Sequence, residues 1–472
     1  MWQNMIKLYG LQIEGIIKME ITKENKMGTM GIPKLLYSIS VPIIISMLVQ
    51  ALYNIVDSIF VAQYDNVAGT GALTLAFPIQ MLMIAVGTGF GVGMNALLSR
   101  SLGEKNKERA ELAAGQGIFL TVCGYLIFLI FGLFVVKPFV AISADKSSLL
   151  YQYGVDYISI VTIFSIGLFV QVTCERLLQA TGKSIYSMIT QLSGAIVNII
   201  LDPILIFGLC GLPKMGIKGA AIATVIGQAA AGIMGIILNL TVNREITLKI
   251  KNFLPNKLIL CEILVIAIPS VLMQAIGSVM TFSMNNILLK FSESALNVFG
   301  IYFKLQSFIF MPVFGLNNGM IPIIAFNYGA KKKDRIYATM KLAAISAVGY
   351  MLLGFAVFQT LPKFLLGFFN ASAEMIAIGV PALRIISISF MMAGFSIVSI
   401  STCQALGKSI YSLIVSIIRQ LVVLIPAAFL LSLLGNVNLV WWAFPIAEVV
   451  GCTACLIFVT RVLRSAFKNE SK

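Results

Sequence analysis

Apolar residues run in blocks of about twenty or more along almost the whole chain, interrupted by short stretches rich in lysine, arginine and glycine. At ~1.5 Å rise per residue, a helix of about twenty residues crosses the ~30 Å hydrocarbon layer of a bilayer. The pattern predicts twelve such helices, at 35–63, 70–100, 108–137, 148–180, 184–208, 217–241, 258–290, 296–327, 335–361, 373–405, 409–434 and 438–464. For most of this chain the bilayer is therefore the solvent, and an all-α membrane protein is the expected class.

The blocks also repeat. Residues 179–187 read Gln-Ala-Thr-Gly-Lys-Ser-Ile-Tyr-Ser and residues 404–412 read Gln-Ala-Leu-Gly-Lys-Ser-Ile-Tyr-Ser, an offset of 225 with one mismatch. At an offset of 226, Leu102-Gly103-Glu104-Lys105 meets Tyr328-Gly329-Ala330-Lys331, and Gly93-Met94 meets Gly319-Met320. An even number of helices per half gives both halves the same direction. The expected architecture is two parallel six-helix lobes, 31–241 and 258–465, with a central cavity between them. A cytoplasmic linker, 242–257, joins the lobes, and segments 1–30 and 466–472 flank them. The Gly182-Lys183-Ser184 and Gly407-Lys408-Ser409 steps are not phosphate loops, because Leu177 and Thr402 stand where the first glycine belongs.

Composition agrees with a membrane solvent: 59% of residues are hydrophobic and 11% charged, against about 25% charged in soluble domains. The net charge of +15 would point to nucleic acid in a soluble protein. Here the bases fall in short loops, at Arg100, Lys105, Lys107 and Arg109, at Arg244, Lys249, Lys251 and Lys257, and at Lys331, Lys332, Lys333 and Arg335. That distribution is the positive-inside pattern and places these loops and both termini in the cytoplasm of a multi-pass protein of the cytoplasmic (inner) membrane. No histidine is present, which excludes histidine-ligated metal, a Ser-His-Asp triad and a histidine proton relay. Cys452 and Cys455 form a C-x-x-C inside the last span and read as small packing residues. No cleavable signal peptide is evident, and Met27 or Met30 is an alternative start.

Several motifs carry a family resemblance: the Leu-Gly-x-Lys turn after the second span, Arg176-Leu-Leu-Gln179-Ala-x-Gly182 at the end of the fourth, and Asn198-x-x-x-Asp202-Pro203 in the fifth. With twelve spans in two parallel halves, they make residues 30–465 resemble the multidrug and toxic compound extrusion (MATE) family. Glu175 and Asp202 look most like its bacterial branch exporting cationic drugs. The resemblance implies an antiporter, not an enzyme, that exports organic, mostly cationic compounds in exchange for protons or sodium ions by alternating access. It implies no cofactor beyond the coupling ion and no nucleic-acid partner, and a monomer in the bilayer is expected.

The acids inside the spans carry the chemistry. A carboxylate at mid-bilayer costs ~2.5–3.5 kcal/mol on insertion scales, so one retained there is a functional candidate. Asp57 lies roughly 33 Å along the first span and Asp202 roughly 27 Å along the fifth, with Asn54 and Asn198 about one turn before them. Thr224 on the sixth span lies at a similar depth. Pro203 leaves the Ile199 carbonyl without its helical donor, and free carbonyls in interrupted helices suit cation sites. By resemblance, Asp57, Asn198, Asp202 and Thr224, with Asn54 beside them, form the cation-coupling set, and sodium is possible at Asp57, Asn198 and Asp202. The plain alternative is a self-satisfied polar plug between helices.

Glu175, Asp202, Gln228 and Glu448 are the candidate substrate contacts. For Glu175 the alternative is an interfacial ion pair with Arg176; Asp156 either lines an outer vestibule or reaches out to water. The second half departs from the first, since Asp202 aligns near Ile425 and Glu175 near Ile400, so coupling belongs to the first lobe. Lys304, Arg384, Arg419 and Glu448 stand at membrane depth in the second half. Arg419 with Glu448 reads as a structural pair, or the bases contact an anionic part of the substrate. Pro78, Pro312, Pro322, Pro426 and Pro445 would kink their helices and serve as hinges. Competing functions are a flippase for lipid-linked oligosaccharide or another amphiphile, a channel or receptor, and, least, an intramembrane enzyme.

Overall fold

The structure, a computed structural model, describes residues 25–65, 68–369 and 371–467. The sequence readings on 1–24 and 468–472 lie outside the described residues. Ten described helices are long and apolar enough to cross a membrane, and two bent pairs bring the number to twelve. In chain order they are α1 (Ile32–Tyr64), α2 (Ala68–Gly103), α3 (Lys107–Ala141), α4 (Leu149–Ile163 with Ile166–Ala180), α5 (Ser184–Phe207), α6 (Ile217–Thr241), α7 (Lys257–Leu289), α8 (Glu293–Gly329), α9 (Lys333–Thr360), α10 (Ala373–Ser387 with Phe390–Ala405), α11 (Ser409–Ser432) and α12 (Val437–Ala466). Asn106, Ser148, Asn256, Ser292 and Ser372 each accept a hydrogen bond from an amide in the first turn that follows, satisfying donors a helix start leaves open.

Each lobe has the same plan. In the first, α1 packs on α5, α5 on α6, α6 on α4, and α2 on α3 and α4; in the second, α7, α11, α12, α10, α8 and α9 repeat those contacts in turn. The repeat extends to backbone conformation. Lys105 and Lys331 adopt left-handed φ values of 58° and 55°, and Gly182 and Gly407 of 78° and 75°. The lobes meet through α1 with α8, α2 with α7, and α2 with α8, a set that maps onto itself when the halves are exchanged.

Glycines permit that meeting. A Cβ on Gly103 would overlap the Phe326 carbonyl, and one on Gly329 would overlap the Arg100 carbonyl. Further along, a Cβ on Gly93 would stand 2.5 Å from the Ile263 carbonyl oxygen, and one on Gly319 would overlap Ser40. These contacts lie toward the end of the bundle that carries the lysine- and arginine-rich loops, here called the basic end. Arg176 donates to Asn318 Oδ1 (3.1 Å), Gln274 to Thr88 Oγ1 (2.8 Å), and Arg109 reaches Glu262 (2.5 Å) across the lobes. Among the described residues, all lobe-to-lobe hydrogen bonds and ion pairs lie in this half. Beyond them, Asn54, Phe77, Met81, Phe282 and Phe308 are exposed.

The sharp bends fall elsewhere than the prolines. α4 turns by 46° between Ile163 and Ile166 and α10 by 48° between Ser387 and Phe390, equivalent places in the two halves. Ser389 donates back to the Ile386 carbonyl (2.6 Å), replacing helical bonding at the break. The proline-bearing helices α2, α8, α11 and α12 show no break of that size. Their prolines are absorbed within continuous helices; α11 also carries a π-helical stretch, Ile418–Leu424.

The buried apolar side chains form three clusters: one fills the second lobe and reaches into α1 and α2, a second lies within the first lobe, and a third joins α2, α3 and α4 to α7 near the basic end.

Candidate cation and substrate site

In the first lobe a polar layer is built where α5 and α6 approach closely. A Cβ on Gly194 would sit 2.8 Å from the Gly227 carbonyl oxygen, and one on Gly227 would sit 2.9 Å from Asn198 Cβ. With no side chains between the two backbones, Asn198 and Asp202 of α5 are drawn inside beside Thr224 of α6, and all three are buried. Asn198 Nδ2 donates to Asp202 Oδ1 (3.3 Å), while Asp202 Oδ2 and Asn198 Oδ1 are buried with no hydrogen-bond partner among the described residues. Asp57 of α1 is also buried, its Oδ1 likewise without a partner, and its charge acts on Asp202. Burying even a neutral polar atom unpaired costs about 1–3 kcal/mol, and more if it is charged. These oxygens are open to an ion or to a donor from outside the cluster.

Two tyrosines complete it and were not singled out from the sequence. Tyr157 of α4 is buried; its hydroxyl accepts from Gln80 Nε2 of α2 (3.3 Å), bonds Thr224, and feels the charges of Asp57 and Asp202. Tyr53 of α1, bonded to Gln50, lies within electrostatic reach of Asp57, Asp202 and Glu175. One polar residue in an apolar helix gives little signal, but four helices each aiming one at the same depth do. Asn54 is exposed on α1, outside the buried cluster.

Glu175 belongs to a neighbouring group nearer the basic end. Gln171 Nε2 donates to Glu175 Oε1 (3.0 Å) and to Gln191 Oε1 of α5 (2.7 Å). Arg176 contributes charge but donates instead to Gln179 (3.2 Å) and, across the lobes, to Asn318. Gln228, one turn from Thr224, has a buried Oε1 with no partner among the described residues, between the two groups. Asp156 pairs with Lys218 of α6 at 3.3 Å.

Glu448 is not part of this assembly. It lies in the second lobe, where Arg419 Nη1 donates to its Oε1 at 2.8 Å. Lys304 and Arg384 are exposed: Lys304 Nζ lies 5.8 Å from the centre of the Phe369 ring, and Arg384 donates to the Gln359 carbonyl. Cys452 and Cys455 are free thiols, and Cys455 is buried against the Ser396 carbonyl. Among the described residues no three His, Cys, Asp or Glu side chains gather as a metal cage. The donors at Asp57, Asn198 and Asp202 are oxygens, as hard monovalent or divalent cations prefer.

The family model MatE matches this chain twice, over residues 42–204 and 269–430, once in each lobe. The chain belongs to the MatE family. It is a membrane transporter, not an enzyme. The multidrug export protein MepA of Staphylococcus haemolyticus (strain JCSC1435) is 29% identical over 432 residues, covering 92% of this chain and 94% of that protein. MepA of Staphylococcus aureus (strain MRSA252) is 28% identical over 429 residues, covering 90% and 93%. The solved structure of an outward-facing multidrug resistance MATE family transporter of the MOP superfamily superposes with a TM-score of 0.88 at 23% identity, covering 95% of this chain and 99% of that one. A MOP superfamily transporter from Pyrococcus furiosus, described as having a binding pocket of reversed polarity, gives 0.87 at 23% identity, covering 94% and 99%. The MatE fold thus runs the length of the described chain. The polar layer of the first lobe is where this member concentrates its buried acid chemistry.

Proposed function

We propose that this transporter is a multidrug efflux antiporter that exports organic, mostly cationic compounds in exchange for protons or sodium ions. The unpaired, buried oxygens of Asp57 and Asp202 carry the reading. Two carboxylates side by side in a low-dielectric interior repel each other, and a proton or sodium ion bound between them relieves both repulsion and desolvation. Asn198, Thr224 and Tyr157 supply further polar contacts; Glu175, Gln228 and Asp202 meet the drug. The ion needs no further cofactor. A unit charge moving down a 100 mV potential gains ~2.3 kcal/mol, enough to shift such an exchange more than tenfold.

We place the basic end and both termini in the cytoplasm, on the positive-inside rule. With that end closed by its contacts, we read the arrangement as outward-facing. The lobes 31–241 and 258–465, joined by 242–257, rock about the crossing of α2 with α8 in a single chain working as a monomer. An amphiphile flippase finds no support in a basic cavity, because Arg419 is neutralised by Glu448 and Arg176 is held by Asn318.

Cells expressing the protein are expected to exclude a fluorescent cationic dye, and to stop doing so when an uncoupler and a sodium ionophore are added together. Asp202→Asn is expected to abolish exclusion at equal membrane expression. Glu175→Gln, which keeps the bond to Gln171, is expected to weaken export of a cationic dye by about tenfold and of a neutral one little. Full export by Asp202→Asn would refute the reading.

A further inference from the structure

The sequence repeat reaches further than its most obvious segments. At an offset of 224, residues 222–227 of α6, Ile-Ala-Thr-Val-Ile-Gly, align with residues 446–451 of α12, Ile-Ala-Glu-Val-Val-Gly. The same offset aligns Ser46-Met-Leu-Val-Gln50 of α1 with Ser270-Val-Leu-Met-Gln274 of α7. Thr224 therefore corresponds to Glu448, Gly227 to Gly451, and Asp57 to Thr281. Between the lobes, the acid and the threonine have changed places.

The packing bears the correspondence out. In the first lobe Gly227 meets α5 at Gly194 and Asn198; in the second Gly451 meets α11 at Arg419, the position equivalent to Gly194 in the 225-residue repeat, with Arg419 Cδ 2.9 Å from where a Cβ would stand. Glycine at 451 thus makes room for the arginine side chain. The first lobe uses this crossing to bring two backbones together; the second uses it to lay a guanidinium against a carboxylate.

Glu448 Oε1 takes Arg419, while Oε2 is buried with no partner among the described residues. Around the pair lie Tyr302 of α8 and Cys452 and Cys455 of α12, all buried or half-buried. Arg419 itself sits in the π-helical stretch of α11, where an extra residue per turn re-aims side chains and often marks a functional position.

We propose that the second lobe retains a cation site of the same plan at Glu448, and that Arg419 occupies it permanently as a tethered cation. Only the first lobe then takes a mobile ion. The proposal rests on the antiport reading for the identity of the first-lobe site, but the second-lobe site is tested separately. It accounts for the asymmetry in a way that lost acids alone do not: the second lobe has its carboxylate, already neutralised.

The test measures cation binding to the purified full-length protein, using radioactive sodium for Na+ and an indicator dye for proton uptake. The native protein is expected to bind about one equivalent of Na+ or H+, lost in D202N and kept in E448Q. R419Q is expected to bind about two, the second disappearing in R419Q/E448Q; R419K should remain at about one. A folded R419Q that binds only one equivalent overturns the proposal. So does loss of native binding in E448Q, a result that needs no change at Arg419 and so decides the matter even if R419Q does not fold. If D202N keeps the native equivalent, the first-lobe reading fails instead, and R419Q still judges the second lobe.

Discussion

At the scale of single residues, the site is a matter of which buried oxygens have partners. Asp57, Asn198 and Asp202 stood out in the sequence because acids and amides are costly in an apolar helix, and Thr224 through its depth and the family resemblance; the structure buries all four. Tyr157 did not stand out, because tyrosine is ordinary in membrane helices and only the convergence of α2, α4 and α6 shows what its hydroxyl bonds. The same blindness explains Gln171, whose importance is that it holds Glu175 to Gln191. Tyr157→Phe removes one hydroxyl from a network while preserving the ring's packing. A neutral hydrogen bond is worth ~1 kcal/mol, so the ion concentration for half-maximal efflux is expected to rise about fivefold with little change in maximal rate. Titrating efflux against pH or sodium checks it, and an unchanged midpoint would leave Tyr157 a packing residue only.

At the scale of helices, spans were readable because length and apolarity set them; α5 and α6 start and end within one residue of the expected positions. The bends were not. Proline announces a lost hydrogen bond in the sequence, yet α8 continues through Pro312 and Pro322, while α4 and α10 break at serine-containing steps, in α10 with the Ser389 hydroxyl bonding the backbone. A serine in an apolar run reads as neutral packing until its partner is seen. The structure uses Gly103 of α2 and Gly329 of α8 for close approach at the basic end. Gly103→Ala and Gly329→Ala force a methyl into a facing backbone carbonyl, a strain of ~1–3 kcal/mol that falls on the closed arrangement. Each is expected to shift the population toward opening at that end. Labelling of a cysteine placed at Ala96 or Phe326 reports this, and unaltered labelling in both variants would show that the crossing does not gate.

At the scale of the whole molecule, two lobes share a helix plan, two left-handed turns and one mid-helix bend, but not their polar interior. The repeat was legible because nine-residue segments match almost letter for letter. The asymmetry was partly legible, in the missing counterpart of Asp202 and in the short 224-residue match of Thr224 to Glu448, and partly hidden, because only packing shows Arg419 laid against Gly451 and Glu448. In the proposed cycle the lobes exchange inward- and outward-open arrangements about α2 and α8, and the buried acids give the motion a direction set by ion gradients. The most direct measurement is transport in liposomes containing the purified protein, with imposed proton or sodium gradients and a fluorescent organic cation. The account predicts that one of these gradients drives native transport against the cation's own gradient, and that Asp202→Asn, correctly inserted, loses this drive under either. Uphill transport by Asp202→Asn with unaltered ion dependence would contradict it.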